Sequence, residues 1–169
     1  MRKREDKNLD IQIKTQRLII CPLEMKFLDS TYAYSSDLEN TKYMLFLPVD
    51  SRKEAVEFLR SSEEEWQKEN PLFFEFAMLK DGIHIGGCSL YLCDDRDTGE
   101  LGWIVDKKYW RCGYASEAAR YGAVWCRAAW SYTFYCPLRQ RKYRLIPSYG
   151  KAWNETYRLQ RRQKKQVIG

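Results

Sequence analysis

The stretch Glu100 to Ala119, ELGWIVDKKYWRCGYASEAA, joins a strand to a helix through a loop suited to an anion, and no other segment constrains the fold as much. Leu101 to Val105 is a short apolar run of strand formers, and Asp106 to Tyr109 breaks it. Gly113 and the small Ala115 then allow close backbone approach before a helical pattern begins. A helix start presents amide groups without intrahelical partners, together with the positive end of the macrodipole, and so attracts phosphate. With Arg111 adding a cation, the segment predicts a pyrophosphate site.

Upstream signals agree with one another. Phe73 to Leu92 reads as two strands around Lys80-Asp81-Gly82, a hairpin signal, and Asp94 to Gly99 is a second turn cluster feeding the motif strand. Phe27 to Leu38 predicts a helix. Ser51 and Glu54 have capping-box spacing ahead of Ala55, Phe58, Leu59, Ser62 and Trp66, which share one helical face and are expected in the core. Glu63, Glu64 and Glu65 are expected on a solvated face.

Composition excludes more than it identifies. A chain of 169 residues suits one domain, spanning 1–169, with no repeat or linker. No apolar run reaches the ~18 residues of a membrane span, and MRKREDKNLD is too charged for a secretory signal, so a cytoplasmic protein is expected. The six cysteines show no C-x-x-C pair and His84 is the single histidine, which argues against metal binding and against a disulfide framework. Cys112, at a helix start beside Arg111, stands where thiols become reactive, the simpler alternative being an inert loop residue. His84 alternates with Ile83 and Ile85 on a strand, faces solvent or a neighbouring side chain, and receives no catalytic role.

The window Trp110 to Ala115 resembles the acetyl-CoA signature of the GNAT superfamily of N-acetyltransferases, in particular the branch acetylating ribosomal-protein N-termini, where a YWGKGYATEA-like string is usual. Tyr109, Trp110, Gly113, Tyr114, Ala115, Glu117 and Ala118 match it. Arg111 and Cys112 replace the common Gly and Lys, so a cation is kept one residue away. TQRLIICPL (Thr15 to Leu23) is similar to the family's first strand, and IGGCSLYL to its third, so the resemblance covers Thr15 to Arg120. It implies an α/β (α+β) fold with a mostly antiparallel central sheet flanked by helices. It further implies acetyl-CoA as cosubstrate, held by Trp110, Arg111, Cys112, Gly113, Tyr114, Ala115 and Ser116. Backbone amides around Ile104 and Val105 would polarise the thioester oxygen. The acceptor would be an amine, either a peptide N-terminus or a small molecule, in a groove flanked by the N-terminal helices. Because only a neutral amine attacks, a base is needed, and Glu100 is the carboxylate the resemblance places best.

The C-terminal part departs from the family, whose later strand and E-N-x-x-S-x-x-x-x-E-K-x-G segment are not legible. Gly122 to Gly169 carries 11 Lys and Arg against one acid, whereas Met1 to Tyr121 carries 18 against 22. One reading of this basic, aromatic tail is a nucleic-acid arm. Another fits the residues better. Back-translated with permitted codons and read one base later, Arg139 to Ser148 spells D-S-E-N-T-A-S-Y-R, and Ser148 to Thr156 spells L-M-E-K-L-G-M-K. Ala128 to Arg139 shifts likewise into Q-L-G-V-T-R-F-I-A-H-C-D. Trp153 has one codon, and given the following Asn its shifted glycine is forced. These strings restore the missing segments, which points to a frame lost between Ala115 and Cys126. The C-terminal part of the fold is then expected to be incomplete, and its basic runs to bind polyanions only non-specifically. A non-catalytic remnant is the third possibility.

Overall fold

The computed structural model describes residues 11–42, 44, 48–93, 98–130 and 133–135. The segments of the basic tail beyond 135 lie outside the described residues, as do Asp94 to Asp97 of the second turn cluster.

Among the described residues, six strands form one sheet in the order β1 (Ile13–Lys14), β2 (Ile19–Pro22), β3 (Phe73–Lys80), β4 (Ile83–Leu92), β5 (Thr98–Val105) and β6 (Thr133–Tyr135). The first five pair antiparallel and β6 joins β5 in parallel. An antiparallel sheet with helices on it is the α/β architecture that the resemblance implies. The β3–β4 hairpin turns at Asp81 (φ 51°) and Gly82 (φ 80°), the two consecutive left-handed residues a tight hairpin favours. β2 is shorter than the strand expected over Thr15 to Leu23, because Thr15 N donates to the Leu18 carbonyl and Thr15 Oγ1 accepts from Leu18 N, folding that end into a turn.

α1 (Leu28–Ser35) and most of α3 (Arg52–Gln67) pack on one face of the sheet and α4 (Tyr114–Trp130) on the other, where Trp66 at the end of α3 joins it, while α2 (Leu38–Thr41) lies beside the end of β5. Ser51 Oγ accepts from Glu54 N at 3.3 Å, starting α3 as its capping spacing predicts, though the Glu54 carboxylate reaches Asp50 N instead of Ser51 N. Ala55, Leu59, Ser62 and Trp66 are buried on the predicted face. Trp66 meets Phe74 and Phe76 at ring-centroid distances of 4.9 and 5.0 Å, and Trp125 of α4 at 5.8 Å.

The glutamate run corrects one expectation. Only Glu64 is fully solvated. Glu65 is buried, pairing with Lys68 and accepting from Leu72 N at 2.5 Å, while Glu63 accepts from Met25 N at 2.6 Å. Both satisfy loop amides beside α3 that would otherwise lack partners. His84 lies between Phe27 and Tyr34, with Nδ1 2.6 Å from Ser30 Oγ, and burial pushes its imidazole down to about 4.

Candidate functional site

The site is organised by the way β5 ends. Among the described residues, β6 pairs with β5 over Thr98, Gly99 and Glu100, and Leu101–Val105 has no partner strand on that side. On the β4 side the register runs without interruption from Leu92↔Gly99 to Gly86↔Val105, and Asp106 N donates to Ile85 O at 2.8 Å. Alternation along an antiparallel ladder then turns the Ile104 N–H toward Gly87 and the Val105 N–H toward the open edge. Of the two backbone amides proposed from sequence, Val105 faces that edge and Ile104 is committed to the sheet.

The loop after β5 is fixed from several directions. Asp106 caps a 3₁₀ turn over Lys107–Tyr109 by accepting from Lys108 N, and the Trp110 indole turns back to donate to Val105 O at 2.7 Å. Arg111 (φ 62°) and Gly113 (φ 79°) take left-handed conformations, alternating backbone of the kind that gathers amide groups into an anion-binding concavity. The Glu117 amide donates to Gly113 O at 3.1 Å, so the amides of Tyr114, Ala115 and Ser116, in the first turn of α4, have no carbonyl of their own helix to meet. The exposed Cys112 places its thiol 3.4 Å from Trp110 O.

Sequence reading placed Thr15 and Arg17 on a strand and gave them no role, yet they hold the helix to the loop. Glu117, buried on α4, accepts from Thr15 Oγ1 at 2.6 Å, Arg17 N at 2.9 Å and Arg17 Nε at 2.7 Å. Desolvation alone would raise its carboxyl, but the donors from Thr15 and Arg17 outweigh it and hold the group below the usual range. Arg17 also donates to Cys112 O at 2.8 Å and stacks on the Tyr114 ring. The signal was present as the T-x-R-L and S-E-A patterns, lying 100 residues apart.

Glu100 is the last β5 residue paired by the described part of β6. Its Oε2 is buried and meets no hydrogen-bond donor among the described residues, and burial pushes the carboxyl up. On the same sheet face lies Glu75, which went unremarked in the apolar run FFEFAM. It is 2% exposed, accepts from Ser89 Oγ and Tyr91 OH at 2.6 Å each, and burial pushes it up to about 7. Among the described residues no group of His, Cys, Asp and Glu could hold a metal ion, and no helix is long and apolar enough to cross a membrane.

A family model described as "Acetyltransferase (GNAT) domain" matches residues 17–140. The chain is 30% identical over 112 residues to the uncharacterized N-acetyltransferase YnaD of Bacillus subtilis, a match covering 65% of this chain and 62% of that protein. The chain thus spans about three-fifths of that relative's length. Among solved structures, a GNAT-family acetyltransferase from Bacillus anthracis superposes with a TM-score of 0.59 at 24% identity, over 72% of this chain and 69% of that one. RimL, a ribosomal L7/L12 alpha-N-protein acetyltransferase solved in complex with coenzyme A, superposes with a TM-score of 0.65 at 13% identity, over 75% and 73%. At these identities the structural likenesses establish the fold.

Proposed function

This chain belongs to the GNAT acetyltransferase family, and we propose that it descends from an acetyl-CoA-dependent N-acetyltransferase acting on a protein N-terminus or a small amine. The observation that carries this reading is the edge of β5 from Leu101 to Val105, without a partner strand among the described residues, leading directly into a loop whose helix-start amides lack intrahelical partners. Acetyl-CoA, when bound, supplies an activated acetyl thioester. The amides of Gly113 to Ser116 and the Arg111 guanidinium hold its phosphates, and the Val105 N–H donates to the thioester oxygen. Glu100 lies five residues from Val105 along β5, about 16 Å, and takes the proton of the acceptor amine through intervening water. Its desolvated carboxylate is more basic than an exposed one, as a general base working near neutral pH requires.

The reading extends to the coding frame. Tyr121 to Trp130, back-translated and read one base later, can spell M-E-R-F-G-A-A-Q-L-G, an amphipathic helix end that runs into the shifted strings downstream. The break then falls close to Tyr121, and the basic tail replaces the family's closing segment. Two measurements test this. The DNA across the codons from Ala115 to Gly169 is read directly, and the chain is expressed beside a version restored to the shifted frame. The restored version is expected to show the larger acetyl-CoA-dependent melting shift and to release thiol with peptide acceptors. If the chain as it stands is the more stable and more active of the two, the frame-loss reading fails. If neither version responds to acetyl-CoA, the acetyltransferase reading fails.

A further inference from the structure

An open strand edge is chemically ambiguous, because the N–H and C=O of one residue point the same way. At Val105 a thioester oxygen approaching the N–H would also meet the lone pairs of the Val105 carbonyl. That carbonyl is occupied. Asn40 Nδ2 donates to it at 3.0 Å and Trp110 Nε1 at 2.7 Å. Asn40 is 3% exposed and its other amide atom is also used, Oδ1 accepting from Lys107 N at 2.6 Å. The short helix α2 that carries it is itself fastened. Asp37 caps it by accepting from Glu39 N and Asn40 N, and Lys107 Nζ reaches back to Asp37 at 2.8 Å and Glu39 at 2.9 Å.

We propose that Asn40 is a positioning residue that, with the Trp110 indole, masks the Val105 carbonyl, so that the open edge of β5 offers an acyl oxygen a donor without a competing acceptor. This deepens the acetyl-CoA reading and rests on it. The selectivity concerns the acetyl carbonyl alone, since the phosphates are held at the loop. Masking therefore governs the preference for acetyl-CoA over CoA and leaves CoA affinity itself nearly unchanged. A purely structural role for Asn40 would weaken both ligands together.

The test is calorimetric titration of the full chain with CoA and with acetyl-CoA, for wild type, Asn40→Asp and Trp110→Phe. Asn40→Asp keeps an acceptor for Lys107 N but replaces the donor at Val105 O by a carboxylate oxygen. Trp110→Phe removes the second donor at a partly exposed site and so guards against a variant that fails to fold. The ratio of acetyl-CoA to CoA affinity is expected to fall about tenfold in Asn40→Asp and several-fold in Trp110→Phe. An unchanged ratio in Trp110→Phe, or a parallel loss of both ligands in Asn40→Asp, overturns the masking proposal alone. Absence of CoA binding by the wild-type chain overturns this proposal, and the acetyl-CoA reading falls with it when the frame-restored version also fails to bind.

Discussion

Arg17 Nη1 donates to the carbonyl oxygen of Cys112 at 2.8 Å, tying the turn between β1 and β2 to the loop at the start of α4. The same guanidinium pairs with Glu117 at 2.7 Å, so one side chain sets both the loop and the helix whose first turn carries the free amides. Arg17→Ala leaves the Glu117 carboxylate with Thr15 Oγ1 and a single backbone amide. A loss of about 2 kcal/mol is expected, together with weaker CoA binding. Chemical denaturation checks the first and titration the second. Arg17→Lys is expected to recover only part of either, because an ammonium cannot engage Glu117 and Cys112 in the same fork.

Gly113→Asp is expected to lower CoA affinity at least tenfold. The φ of 79° costs a side-chain-bearing residue on the order of 1 kcal/mol, and the new carboxylate stands where phosphate must approach. Cys112→Ser, at an exposed position where the thiol makes a weak bond to Trp110 O, is expected to leave affinity within about twofold. Titration of both variants with CoA decides, and the reverse order would overturn the loop assignment.

How far these roles were readable depended on whether their cause was local. The hairpin at Asp81-Gly82, the cap at Ser51 and the loop from Trp110 to Ala115 depend on neighbouring residues and stood in the sequence as short patterns. Glu65 read as solvated because a run of three glutamates looks like a helix surface, yet the chain turning at Leu72 brings it an amide to accept. Asn40 gave no signal, since its partners Val105 and Lys107 become neighbours only once α2 lies against β5. Glu75 could have been suspected, because a carboxylate within FFEFAM must either face water or find donors, and Ser89 and Tyr91 supply them from the paired strand.

Glu75 also predicts a pH dependence of stability. Its carboxyl is raised from 4.5 to about 7, so between those values the folded state holds the proton more tightly than the unfolded chain. Stability from this group is therefore fully present below about pH 4.5 and is lost as pH rises toward 7. His84 opposes it. Lowered to about 4, it contributes stability that is present above 6.5 and lost as pH falls. Glu75→Gln is expected to remove the decline approaching neutrality while leaving the acid-side loss from His84, as followed by denaturation midpoints between pH 4 and 8. An unchanged profile would show that Glu75 does not titrate in this range.

Gly86→Ala is expected to destabilise by about 3 kcal/mol. A Cβ there would lie 2.2 Å from Ile104 O and 2.8 Å from Val105 Cα, both backbone atoms, so β5 itself would have to move. Thermal melting measures the loss. In a variant that still folds, acetyl-CoA binding should fall more than CoA binding, because the displaced residue is Val105.

Among the described residues, β6 joins β5 over Thr98, Gly99 and Glu100, the last being the residue proposed to accept the proton. From there to Val105 the strand advances roughly 16 Å. The proposed base and the amide proposed to meet the thioester oxygen thus stand at opposite ends of one strand, so a proton passed between them crosses that span through water, and access of water along β5 becomes a property on which turnover depends.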